Sequence, residues 1–327
     1  MTALRWFAPN RYCGLVVPAL RAAGFAIATE GDEPADLVVA MDGQCAVAGF
    51  EFARRHGCPL LLYLWDLPPW RLGMGRPDVV FEWRGRIRRV PRILGGFPER
   101  SGYYSRLHFA ARRAAAVWAP SALTAADLAT RFGLKARVVP FCYDSTQFRP
   151  MPSAERRVPS AELLSISRLV PHKNHGAVIR AAARMMPRPR VRLIGQGPEA
   201  GALERLAADL EVKLELTTEW QSDEAIAAAY HRATVVVAPS RFEGFGLTPI
   251  EGVASGVPTV ASDIPPHREH LGDAVCYFRL EDELSLVAAI RAARERGPVD
   301  PARVAHLSIE PAAARFVDQL SEIAARR

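Results

Sequence analysis

Two carboxylates and two cations carry the chemistry open to this sequence. Glu243 and Glu251 flank a glycine-rich turn within Ser240–Asp263. Gly244 and Gly246 let that backbone bend sharply and approach a ligand closely. Pro249 suits the first turn of a helix, where its missing N–H costs little. A carboxylate accepts paired hydrogen bonds from vicinal hydroxyls, so the two glutamates suit a ligand that carries sugars. Upstream, Arg168 ends an apolar run and Lys173 follows near the start of a helix. Fixed cations beside a helix N-terminus suit a diphosphate and offset its charge as it departs.

Those side chains need a sheet edge to hold them. Apolar runs predict strands at Leu4–Ala8, Leu37–Met41, Pro59–Tyr63, Val117–Pro120 and Arg137–Pro140, with helical stretches at Leu15–Ala23 and Ala46–Arg55. After a proline-rich linker at Phe141–Pro159, a second series predicts strands at Leu163–Ser167, Val191–Gly195, Lys213–Leu216, Thr234–Ala238 and Pro258–Ala261. Such alternation reads as two doubly wound, parallel α/β halves, with ligand groups at the carboxyl edges of the strands. Val117–Ser121 echoes Val236–Ser240, and each serine is placed to cap the helix after it. The Gly195-Gln196-Gly197 turn lacks the third glycine of a dinucleotide fingerprint and is weak evidence alone. Helical spacing over Pro311–Arg327 predicts a final helix.

The segment from Glu243 to Glu251 resembles the E-x₇-E donor motif of retaining glycosyltransferases of family 4, and Arg168-Leu169 through Lys173 is similar to that family's R-L-x-x-x-K segment. The resemblance implies an α/β GT-B fold: two doubly wound Rossmann-like domains facing across a cleft. Residues 1–150 would bind an acceptor and residues 151–310 a nucleotide-sugar, while residues 311–327 would form a helix returning to the first domain. It implies that Glu243 contacts hydroxyls of the donor sugar and that Glu251 binds the ribose. The backbone from Gly244 through Phe245, Gly246 and Leu247, with Thr248, would hold the distal phosphate and sugar. Arg168 and Lys173 would neutralise the leaving diphosphate, with Gly195 and Gly197 near the nucleotide. Trp220 stands where relatives border the base, and the residue alone reads equally as buried core.

Other positions depart from the family pattern. The first loop keeps Gly14, where relatives carry a glycine pair beside the phosphates. Trp65 stands at the usual place of a histidine on the acceptor side. Asp66 beside it reads either as an acceptor-side carboxylate or as a cap. Only Asp144 remains of the linker's N-G-x-D.

Composition narrows the remaining classes. The chain has 327 residues, 49% hydrophobic and 24% charged, which suits a globular protein with two domains. Five scattered cysteines without a C-x-x-C pair, and no apparent leader at the N-terminus, point to a cytoplasmic protein with reduced thiols. Two H-x-x-H pairs, His172/His175 and His267/His270, lack a third ligand, so neither metal nor cofactor is expected. The loop holding His267 resembles a family loop near the cleft and reads as structural. The net charge of +7 is concentrated between Arg71 and Arg113, where eleven arginines face three acids. With Phe81, Trp83, Ile87 and Leu94 interleaved, that segment suits an anionic membrane surface on the inner face of the cell membrane, an acidic acceptor, or a solvated basic face. No nucleic-acid module accompanies it. The expected activity is metal-independent transfer of a sugar from a nucleotide diphosphate-sugar to an acceptor hydroxyl on a glycan, glycolipid or small molecule. The alternatives are a non-catalytic nucleotide-sugar-binding or peripheral membrane protein and a nucleotide-sugar epimerase.

Overall fold

A computed structural model describes residues 2–67, 107–151 and 161–325. They form two compact units, one of Met1–Cys142 with Ile309–Arg327 and the other of Tyr143–Ser308. The boundaries thus fall before the expected 150/151 and 310/311. Most of the arginine-rich stretch, residues 71–106, lies outside the described residues.

In the first unit the strands are β1 (Ala3–Phe7), β2 (Ala26–Ala28), β3 (Leu37–Met41), β4 (Leu60–Tyr63), β5 (Ala116–Ala119) and β6 (Arg137–Val138). They form one sheet in the order β2-β1-β3-β4-β5-β6, with every pair parallel. The central strands β3 and β4 are buried along their whole length, as expected of strands covered on both faces. Helices α1 (Val17–Ala22), α2 (Ala46–His56) and α3 (Ala122–Phe132) connect them. Ser121 caps α3 as read from the sequence, its hydroxyl accepting from Thr124 N at 3.3 Å. The C-terminal helix, Ile309–Ala324, belongs to this unit. Its fully buried Phe316 meets Trp118 at 5.1 Å, Tyr63 at 5.9 Å, Phe141 at 6.1 Å and Trp6 at 6.5 Å between ring centroids.

The second unit repeats the plan with β7 (Glu162–Ile166), α4 (His175–Ala183), β8 (Arg190–Ile194), α5 (Ala200–Asp209), β9 (Leu214–Thr217), α6 (Asp223–Arg232), β10 (Val235–Ala238), α7 (Leu247–Ala254), β11 (Thr259–Ser262), α8 (Pro265–Leu271), β12 (Cys276–Phe278) and α9 (Glu283–Arg296). The sheet order is β12-β11-β10-β7-β8-β9, again all parallel. The chain leaves β7 toward β8 on one side and leaves β10 toward β11 on the other. Adjacent strand ends that diverge in this way open a crevice at the carboxyl edge, where α/β sheets hold ligands. Lys173 follows β7 and Glu243 follows β10, so the topology places both at that switch point.

Candidate functional site

The loop after β7 is built to hold a cation in place. A short 3-10 turn, Pro171–Lys173, is followed by Asn174 in the left-handed conformation at φ 57°. Asn is one of the few residues that tolerate this backbone, and its side chain donates to Pro239 O at 3.3 Å. Arg241 binds the same loop from the β10 side. Its backbone N–H donates to His172 O and its guanidinium to Pro171 O, both at 2.7 Å, and Glu281 holds the guanidinium at 2.6 Å. The β7 and β10 loops are thereby tied together beneath the site.

Within this frame Lys173 Nζ lies 2.7 Å from Glu243 Oε1, with only 14% and 15% of the two side chains exposed. The motifs imply separate tasks for the pair, the lysine for phosphate and the glutamate for sugar; in the free protein each is the other's partner. Burial alone would push the Glu243 carboxyl up. The Lys173 ammonium, the nearby His267 ring and hydrogen bonds from Lys173 and Ser240 outweigh it and hold the carboxyl below its ordinary value. Ser240 therefore serves Glu243 and does not cap a helix, which corrects the reading from the echoed serine. Helix α7 begins only at Leu247, and its N-cap is Gly246 at φ 92° with no side-chain cap.

The open start of α7 directs free N–H groups and the positive end of the helix dipole into the crevice. Thr248 fixes that end against the sheet by donating to Ile166 O at 2.7 Å. Leu247 and Thr248 are half-buried, and Gly244 is buried. Phe245 turns its ring inward against His270, with centroids 4.6 Å apart, so only its backbone serves the site. Farther along α7, Glu251 is buried and accepts from the Tyr230 hydroxyl at 2.8 Å. Arg168 is exposed and forms no ion pair among the described residues, leaving its guanidinium available to an anion.

Gly195 and Gly197 support this loop by close packing. A Cβ at Gly195 would sit 1.8 Å from Ser167 O, and one at Gly197 would sit 2.2 Å from Leu169 O. Their φ angles of 157° and 156° add backbone strain for any other residue. Ser167 N and Leu169 N donate to Ile194 O and Gln196 O at 3.1 and 2.8 Å, so the turn carries the loop that presents Arg168. Trp220, read as either buried or base-flanking, is 79% exposed. That excludes burial.

Three predicted residues lie in the first unit. Gly14 ends a 3-10 turn, Arg11–Gly14, after β1. Trp65 and Asp66 follow β4, half-buried, and Trp65 packs on Phe141 with centroids 4.4 Å apart.

One residue of the site was not chosen from the sequence. His267, on α8, is fully buried, and its ring lies where a Cβ at residue 246 would be, 2.8 Å from Cδ2 and 3.1 Å from Nε2. Its signals in the sequence are the H-x-x-H spacing and a loop that resembles one near the family's cleft, and that loop was read as structural. Its partner in the H-x-x-H spacing, His270, faces Phe245, while His175 of the other pair bonds to Ser167 at 2.9 Å. Among the described residues no group of three or more His, Cys, Asp and Glu side chains is gathered to hold a metal ion.

The family described as glycosyl transferases group 1 matches residues 151–297. An O-antigen chain mannosyltransferase, RfbU, of Salmonella typhimurium is 32% identical over 130 residues, covering 39% of this chain and 37% of that protein. An MMP alpha-(1->4)-mannosyltransferase of Mycolicibacterium hassiacum is 28% identical over 240 residues, covering 69% of this chain and 54% of that protein. The chain thus matches between about a third and about half the length of these relatives. Among solved structures, sucrose-phosphate synthase from Thermosynechococcus elongatus shares the fold with a TM-score of 0.80 at 16% identity, covering 100% of both chains. HepE from Anabaena, in complex with UDP and glucose, gives 0.74 at 15% identity over 98% of this chain and 100% of that one. Residues 151–297 thus match the glycosyl transferases group 1 family, and the chain shares the GT-B fold of these solved structures.

Proposed function

We propose that the protein transfers a hexose from a nucleotide diphosphate-sugar to an acceptor hydroxyl, with retention of anomeric configuration and without a metal ion. The observation that carries this reading is the Lys173–Glu243 pair at the switch point, beside Arg168 and the open N-terminus of α7. Two cations and a row of backbone N–H groups suit the two charges of a diphosphate, which is the work a metal performs in other transferases. A carboxylate held ionised within the same few ångströms suits sugar hydroxyls. The names of the relatives, two of them mannosyltransferases, and the UDP and glucose bound by HepE support a hexose carried on a nucleotide.

In the proposed reaction the diphosphate leaves from the sugar, and its own oxygen draws the proton from the acceptor hydroxyl on the same face. No protein nucleophile is needed. Arg168 and Lys173 stabilise the charge that develops on the leaving group, and Glu243 orients the sugar. Lys173→Ala and Glu243→Gln should each lower turnover at least ~100-fold while the circular dichroism spectrum stays native. Near-normal rates in both variants would refute the assignment. Product analysis by NMR at the anomeric carbon tests retention, and activity undiminished by EDTA tests metal independence.

A further inference from the structure

In the free protein the lysine that would grip a diphosphate is already engaged with Glu243 at 2.7 Å, in a site from which water is largely excluded. A buried carboxylate is costly once its partner leaves. A diphosphate that draws Lys173 toward itself therefore leaves Glu243 with only the sugar's neutral hydroxyls and no cation to balance its charge.

His267 is positioned to supply one. Its Nδ1 lies 2.9 Å from Ser262 O, and a carbonyl only accepts, so Nδ1 carries the ring's proton. The Ser262 hydroxyl near the same nitrogen, at 3.3 Å, is itself spent on Ser240 O at 2.5 Å. Nε2 is thus a bare lone pair, fully buried and without a partner among the described residues. It lies against Gly246, at the turn that carries Glu243. Burial holds the ring below its ordinary basicity and the Lys173 charge adds to this, while Glu243 and the bond to Ser262 oppose both. The remaining charges nearby are occupied elsewhere. On α8 itself Arg268 pairs with Asp263 at 2.7 Å, and Glu269 and His270 have their own partners. From β12 the Tyr277 hydroxyl donates to the His267 carbonyl and leaves the ring free.

We propose, resting on the donor-site reading above, that His267 is a second positioning residue of this site: when the diphosphate of a nucleotide-sugar takes Lys173, His267 takes one proton from solvent at Nε2 and replaces Lys173 as the cation facing Glu243. One N–H bond forms, no bond breaks in protein or ligand, and the buffer gives up one proton per ligand bound. Withdrawal of Lys173 removes the charge that opposed protonation, and the diphosphate adds negative charge beside it.

The test is calorimetric titration of the full chain with UDP-glucose and with GDP-mannose, in two buffers of different ionisation enthalpy near pH 6.5, the ordinary imidazole value. A diphosphate esterified at both ends does not itself titrate in this range. The expected result is uptake of about one half to one proton per ligand in the native chain and none in His267→Gln. Binding with equal heats in both buffers, or uptake that persists in His267→Gln, overturns the proposal and leaves the donor site intact. Failure of both nucleotide-sugars to bind overturns the donor-site reading together with this one. Should His267→Gln fail to fold, the ring nitrogen shifts of native His267 decide between the same outcomes: Nε2 becomes protonated on ligand addition, or the proposal falls.

Discussion

At the scale of single residues, the candidate site rests on an ion pair, Lys173–Glu243, whose members are each proposed to hold part of the ligand. Glu243 and Lys173 were legible from residue type and motif. Their contact was not, because positions seventy residues apart meet only through the strand order that sets β7 beside β10. His267 was read as structural for the same reason, since nothing local marks a ring that fits against a glycine on another loop. The pair also bears on stability. The Glu243 carboxyl sits below its ordinary value of 4.5 in the folded protein, so its ionised form stabilises the fold. That contribution is complete above pH 4.5 and is lost as pH falls through the folded value. Thermal melts of native protein and Glu243→Gln should differ most near neutrality and converge in acid, once pH has fallen through the lowered folded value. A difference that stays constant from neutral to acid pH would contradict the pairing.

Among the elements, the strands of both sheet interiors were readable, because β3, β4 and β10 are continuous apolar runs buried on both faces. The short edge strands β2 and β12, Ala26–Ala28 and Cys276–Phe278, were not read, since three residues carry no usable period. Pro249 marked the first turn of α7, which begins at Leu247, but the capping role read for Ser240 was wrong. Chain chemistry favours a serine cap there, yet the intervening turn is held open by Gly246 and by bonds to neighbouring loops. The glycine turn after β8 was read as a ligand contact, whereas its first effect is to let the Arg168 loop lie directly upon it. Gly197→Ala should therefore destabilise the second unit by about 2–4 kcal/mol, through overpacking and a disfavoured φ. Chemical denaturation would show this as a lower midpoint with unchanged slope. A loss under ~0.5 kcal/mol would mean that the loop has room to move.

For the whole molecule, the two-sheet architecture followed from alternating elements, and the final helix followed from its spacing over Pro311–Arg327. Its anchoring residue did not, because the cage of Trp6, Tyr63, Trp118 and Phe141 around Phe316 draws on four separate segments. Two units with separate cores are expected to unfold in two steps. Phe316→Ala should cost about 3–5 kcal/mol and lower only the transition of the first unit, leaving that of the second in place. Differential scanning calorimetry decides this, and an equal shift of both transitions would contradict it. The central claim is that the second unit binds a nucleoside diphosphate through Arg168, Lys173 and the start of α7. Its most direct test is a calorimetric panel of GDP, UDP, ADP and dTDP, each with and without EDTA, on the native chain and on Lys173→Ala. One diphosphate should bind at one-to-one stoichiometry, indifferent to EDTA, and at least ~10-fold more weakly to the variant. Binding by none of the four, or equal binding to the variant, would contradict the account.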